Sequence, residues 1–265
     1  MFRYKLVQNG SDKLVIVFQS AGRLSTEDLD KILENKISEE DVKERHKKYN
    51  WMKLSSNKYA DFLYIEDYYS RSYGWYMVDN GVNIIKKIND EITLFIKENN
   101  YKEVTTFGSS KGGTAALLYG IINENIKNVF ALVPQIEVIS YLDKYMKKYK
   151  TLLFPKDDKK FEDELNNIFF YKELYLNFKS NVYIYTGLND NDFNNVIKLD
   201  NYIKKNFRSI NTIINISNKK HTPLVVDNTK FIYEMLESIV CRKKVKNDRI
   251  IKISKGMFLY KDELK

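Results

Sequence analysis

Cysteine is nearly absent from this 265-residue chain, with Cys241 alone, and histidine is limited to His46 and His221. One thiol closes no disulfide framework and builds no cysteine-based zinc cluster, and two histidines exclude a histidine-rich metal centre. Proline occurs only at Pro134, Pro155 and Pro223, and no Pro- or Gly-rich linker or internal repeat divides the chain. No window reaches the ~18 uninterrupted apolar residues of a spanning helix, and the first ten residues hold no signal-peptide core. A cytoplasmic protein without a transmembrane segment is the expectation. What is present is apolar: 43% hydrophobic and 14% aromatic residues can close one sizeable core, which excludes intrinsic disorder.

The net charge is +9, and two thirds of that excess lies in residues 241–265. There Arg242, Lys243, Lys244, Lys246, Arg249, Lys252, Lys255, Lys261 and Lys265 face three acidic residues. The break in composition separates a domain over 1–240 from a basic C-terminal extension, which reads as a solvated tail, an added hairpin or a contact for an anionic partner. It carries no recognisable nucleic-acid module, so nucleic acid is not expected as a partner.

Short apolar runs alternate with amphipathic helical ones. Leu14–Phe18, Phe62–Ile65, Val104–Phe107, Val129–Val133, Val182–Tyr185 and Thr212–Ile216 read as strands. Apolar residues at three-to-four spacing in 82–96 and 115–122 read as helices, and a final helix is expected near Val225–Val240. This alternation predicts an α/β fold, a mainly parallel sheet with helices on both faces. The Lys-rich, aromatic-rich stretch 142–178 interrupts it and reads as a helical insertion or lid.

The chemistry centres on Val104-Thr105-Thr106-Phe107-Gly108-Ser109-Ser110-Lys111-Gly112-Gly113-Thr114, a β-branched run leading through G-x-S-x-G into a small-residue helix. A serine at the tip of so tight a bend needs neighbours without side chains two residues either side, and Gly108 and Gly112 supply them. Ser110 is the candidate nucleophile, and the backbone N–H of Lys111, at the helix N-terminus, is a candidate oxyanion donor. His221, in the polar turn after the Thr212–Ile216 strand, is the candidate base. His46 sits in a charged run and reads as a solvated helix-face residue. The carboxylate that orients the base is expected after the preceding strand, in Gly187-Leu188-Asn189-Asp190-Asn191-Asp192. Asp190 has the preferred spacing and Asp192 is the runner-up. A calcium loop is excluded there, since its glycine and terminal glutamate are missing. Ser20 or Ala21, in the loop Gln19-Ser20-Ala21-Gly22, is the candidate second oxyanion donor, against the plainer reading of a Gly-containing turn. In the aromatic stretch Tyr68–Tyr76, Trp75 and Tyr76 serve either as a sugar-stacking platform or as core.

With Ser110, Asp190 and His221 in that order, and with Phe18–Gly22 upstream, the chain resembles the α/β-hydrolase fold. Phe107–Gly113 and Tyr73-Gly74-Trp75-Tyr76 resemble more narrowly the bacterial capsule-polysaccharide O-acetyltransferases and the acetyltransferase-like proteins of accessory Sec systems. The resemblance implies a Ser–His–Asp enzyme that accepts an acyl group and passes it to a sugar hydroxyl, with acetyl-CoA as donor and no bound cofactor or metal. An esterase or deacetylase of the same fold, and a non-catalytic relative in glycan export or secretion, are the alternatives.

Overall fold

Strands that are apolar at every position need cover on both faces, and the computed structural model provides it. The described residues are 2–243 and 248–262, so Lys244, Lys246 and Lys265 of the basic tail lie outside them. The strands are β1 (Tyr4–Val7), β2 (Lys13–Phe18), β3 (Asp61–Ile65), β4 (Val78–Asp79), β5 (Val82–Asn83) and β6 (Glu103–Ser109). They continue with β7 (Ile126–Leu132), β8 (Asn181–Gly187), β9 (Asn211–Asn215), β10 (Ile250–Ser254) and β11 (Met257–Tyr260). The helices are α1 (Thr26–Leu33), α2 (Glu39–His46), α3 (Ile85–Glu98), α4 (Lys111–Ile122) and α5 (Val138–Tyr145). After them come α6 (Lys147–Leu153), α7 (Lys159–Asn166), α8 (Phe193–Asn206), α9 (His221–Val226) and α10 (Thr229–Val240).

One sheet runs in the order β1-β3-β2-β6-β7-β8-β9-β11-β10, and β4 pairs with β5 apart from it. Among the described residues of the large sheet, only the edge pairs β1–β3 and β10–β11 are antiparallel and the others are parallel; the separate β4–β5 pair is antiparallel. All six strands read from the sequence are present. Alternate residues of β2 serve opposite faces: Leu14, Ile16 and Phe18 enter the core shared with α3, α4 and α8, while Val15 and Val17 enter the core shared with α10. That two-sided burial explains why the strand reads as an unbroken apolar run. Residues 138–175, between β7 and β8, form α5, α6, α7 and two short 3₁₀ turns packed on the first face. In the basic tail, β11 pairs with β9 and β10 closes the edge, so the sheet gains a hairpin there.

The order of the strands locates a binding crevice. From β2 the chain turns to β3 on one side, and from β6 it turns to β7 on the other, while β2 and β6 are neighbours. Such a reversal opens a gap beyond the carboxyl ends of the two strands. Three glycines let α4 approach it. A Cβ on Gly112 would lie 2.3 Å from the Phe18 carbonyl oxygen, one on Gly108 2.3 Å from the Gly112 oxygen, and one on Gly113 2.5 Å from the Leu132 oxygen. Gly113→Ala is the informative change. Helix propensity favours alanine by about 1 kcal/mol, but its Cβ would press on strand backbone, which cannot rotate away. The expected result is a net loss of about 1–3 kcal/mol, read by urea unfolding; an increase in stability would contradict this packing.

Candidate active site

Ser110 joins β6 to α4 with φ 56° and ψ −125°. A non-glycine residue there is strained, by about 1–3 kcal/mol. It is held by Ser110 N–H donating to the Leu132 carbonyl at 2.9 Å and by Thr114 N–H donating to the Ser110 carbonyl at 3.0 Å. The bend puts Oγ at the helix N-terminus, 2.9 Å from Nε2 of His221. His221, the first residue of α9, has Nδ1 2.6 Å from Oδ1 of Asp190. Asp190 lies on the loop after β8, and its Oδ2 accepts from the Thr186 hydroxyl at 3.4 Å. A carboxylate can only accept, so Nδ1 carries the hydrogen and Nε2 is left to accept the serine proton.

Asp192, the runner-up for this position, is turned elsewhere. Its Oδ2 accepts from Ile136 N–H at 2.5 Å and its Oδ1 from the Asn195 side-chain amide at 2.8 Å. Burial pushes its carboxyl up to about 6, against the lowering effect of those two hydrogen bonds.

Lys111 follows the serine, and as the first helical residue its N–H has no acceptor within α4. Its side chain runs into the protein, where Nζ meets Oδ2 of Asp67 at 2.5 Å, the two side chains being 0% and 1% exposed. Burial lowers the ammonium pKa and Asp67 opposes that shift. The other oxygen of Asp67 accepts the N–H groups of Gly74 at 3.1 Å and Tyr76 at 3.2 Å, and Nζ lies 4.8 Å from the ring centres of Tyr73 and Tyr76. On the β2 side, the first turn of α4 abuts the Phe18–Gln19 backbone. The Gln19 N–H donates to the Tyr76 hydroxyl at 2.7 Å, which ties down the residue that precedes Ser20 and Ala21.

Two sequence expectations need correction. Trp75 and Tyr76 are 1% and 0% exposed, so neither ring offers a face to a sugar. Both have positive φ, 51° and 57°, and Tyr76 is fixed through its hydroxyl, which also donates to the Ile65 carbonyl at 2.9 Å. His46 is 3% exposed rather than solvated. It packs edge-on against Tyr68 and Tyr73, and burial lowers its pKa to about 4, so the ring is neutral at pH 7.

Sequence reasoning also missed Gln135, whose Nε2 lies 2.9 Å from Ser110 Oγ. The available signal was its place just beyond the carboxyl end of a parallel strand, where α/β sites gather. Asp67 carries the same signal at the end of β3.

No family model matches the sequence, and comparison with curated proteins gives no match. Solved structures do match. A capsule O-acetyltransferase of Neisseria meningitidis serogroup A, in complex with CoA, superposes with a TM-score of 0.60 at 18% identity, over 88% of this chain and 91% of that one. An esterase of Pyrococcus furiosus gives 0.55 at 14% identity, over 91% and 93%. A glycosylation-associated protein complex from Streptococcus agalactiae gives 0.61 at 13% identity, over 88% of this chain and 43% of that one. At these identities the finding is a shared fold.

Two measurements probe the site's scaffold. Lys111→Met strands Asp67 as a buried charge and is expected to cost about 3–5 kcal/mol in urea unfolding; a change below about 1 kcal/mol would mean the pair is not holding the loop. Asp192 binds its proton more tightly in the folded chain than in the unfolded one. Its contribution to stability is therefore complete below about pH 4 and is lost as pH rises through about 6. Between these limits the wild type should lose on the order of 2–3 kcal/mol relative to Asp192→Asn; parallel stability curves from pH 4 to 7 would refute the shift.

Proposed function

We propose that this chain is a Ser–His–Asp acyl-ester enzyme of the α/β-hydrolase fold, with residues 1–240 as the catalytic domain and the basic hairpin as an addition to it. More specifically, it is an O-acetyltransferase that carries an acetyl group from acetyl-CoA to a hydroxyl of a bacterial surface or capsular polysaccharide, working in the cytoplasm. The observation that carries the reading is the chain of contacts Ser110 Oγ, His221 Nε2, His221 Nδ1 and Asp190 Oδ1, at 2.9 and 2.6 Å, with the serine at a strained turn on a helix N-terminus. The fold shared with a CoA-bound capsule O-acetyltransferase supports it. So does the net charge of +9, which favours approach of an anionic donor.

In this mechanism His221 takes the proton of Ser110 as Oγ attacks the thioester carbonyl, and the imidazolium is stabilised by Asp190. The carbonyl oxygen, now negative, is held by the N–H of Lys111 and by that of Ser20 or Ala21. Collapse breaks the carbon–sulfur bond, and the thiolate of CoA leaves with the proton from His221. An acceptor hydroxyl then loses its proton to His221 and attacks the acyl-serine. The second collapse returns that proton to Oγ and releases the acetylated sugar. An esterase would run the same steps with water as acceptor, a reading favoured by the fold shared with the Pyrococcus enzyme. Transfer needs water kept from the acyl-serine, and the helical insertion, which starts at Val138 shortly after Gln135, is the segment assigned that role in this reading.

Incubation with p-nitrophenyl acetate or acetyl-CoA, followed by intact mass, tests this. The expected outcome is one added acetyl group on the wild type and none on Ser110→Ala, with faster loading from acetyl-CoA. Faster loading and turnover from the simple ester would favour the esterase. No adduct from either donor in a folded protein would favour a non-catalytic role.

A further inference from the structure

Gln135 and Trp75 form a relay that ends on the nucleophile. Gln135 is 2% exposed and its backbone is clamped by one hydroxyl of α4. Thr114 Oγ1 accepts its N–H at 2.9 Å and donates to its carbonyl at 2.8 Å. The segment reaches this position through Val133, a β-branched residue at φ 41°, and is tied on its far side by Ile136 N–H to Asp192. Strain at a β-branched residue persists only where surrounding contacts impose it. Here those contacts aim one side-chain amide at Ser110.

The identity of the amide's two ends follows from donor chemistry. The indole N–H of Trp75 can only donate, and it lies 3.1 Å from Oε1 of Gln135. The opposite end, facing Ser110 Oγ at 2.9 Å, is therefore the N–H donor. A serine hydroxyl has one proton and two lone pairs. With Gln135 occupying one lone pair, the proton is turned to His221 and the other lone pair is left for attack. Trp75 is in turn placed by its neighbours, because Asp67 accepts the N–H groups of Gly74 and Tyr76 on either side of it.

The sheet shows which side of the serine this donor serves. β2, with the Gln19–Gly22 loop, flanks β6 on one side, and β7, which leads into Gln135, flanks it on the other. Gln135 thus approaches Oγ from the side opposite the oxyanion loop.

We propose that Gln135 is a catalytic residue that orients Ser110 Oγ and stabilises the charge on it as it attacks and as it leaves, and that Trp75 is a positioning residue that fixes the direction of the Gln135 amide. This rests on the acyl-serine reading above. No bond to Gln135 forms or breaks.

The test is the rate of p-nitrophenol release from p-nitrophenyl acetate, with intact mass and thermal melting, for wild type, Gln135→Ala, Trp75→Phe and the double variant. Gln135→Ala is expected to slow acylation about 10- to 100-fold with KM little changed, less than the loss of an oxyanion donor. Trp75→Phe frees the amide to turn, so a smaller loss of roughly 2- to 10-fold follows from the fraction wrongly oriented. In the Gln135→Ala background Trp75→Phe should cost nothing more in rate. Should Gln135→Ala fail to fold, Gln135→Glu keeps the side-chain size, and its carboxylate should draw the serine proton away from His221. Its deficit relative to wild type should shrink as pH falls and the introduced carboxyl regains a donor. Acylation of the Gln135 variants at the wild-type rate, or an equal effect of Trp75→Phe in both backgrounds, would overturn the relay alone. Failure of the wild type itself to be acetylated would overturn the acyl-serine reading and the relay with it.

Discussion

The buried pair of Lys111 and Asp67 is the contact from which the rest of the candidate site is built. An ammonium and a carboxylate removed from water lose several kcal/mol of hydration each, and the site recovers this only because every partner is in place. Asp67 uses one oxygen for Lys111 and the other for the N–H groups of Gly74 and Tyr76. Lys111 therefore pins the first turn of α4 through its side chain. The same pair orders the Gly74–Tyr76 turn, whose residues 75 and 76 have positive φ. One ion pair thus couples the turn that carries Ser110 to the turn that carries Trp75.

Four residues of positive φ belong to this constellation: Ser110 at 56°, Trp75 at 51°, Tyr76 at 57° and Val133 at 41°. Ser110 and Val133 are held by N–H bonds to the carbonyls of Leu132 and Tyr185, and Tyr76 by Asp67. The result is a preorganised arrangement in which the serine, the histidine and two side-chain amide contacts are set before any ligand arrives. The parallel strands supply the rigidity, since their ends are fixed by ladder bonds and by cores on both faces.

Much of the architecture was legible in the residue pattern, for identifiable reasons. Strands buried on both faces read as apolar runs, so β2, β3, β6, β7, β8 and β9 were all visible, whereas β1 is half-exposed and β10 and β11 lie in a stretch whose charge masks their alternation. The glycines of G-x-S-x-G announced the tight turn because only close backbone contact requires them in that spacing. His46 misled because its charged neighbours belong to the outer side of α2, while the ring itself turns into an aromatic pocket. Trp75 and Tyr76 misled for a related reason: an aromatic cluster at a strand end has the same composition whether it faces a ligand or supports the turn that does.

From the chain alone come the class of fold, the tight turn at Ser110 and the order in which serine, carboxylate and histidine occur, because these depend on local periodicity and on spacing within single loops. The choice between Asp190 and Asp192 is of another kind. Two carboxylates two residues apart are equivalent in composition, and only the path of the 187–192 loop turns one to His221 and the other to Ile136. The partner of Lys111, the burial of Trp75 and the arrival of Gln135 at Ser110 likewise belong to the tertiary structure. They join residues 44, 60 and 25 positions apart, and contacts across such separations are determined by how strands order themselves in the sheet, which no local pattern records.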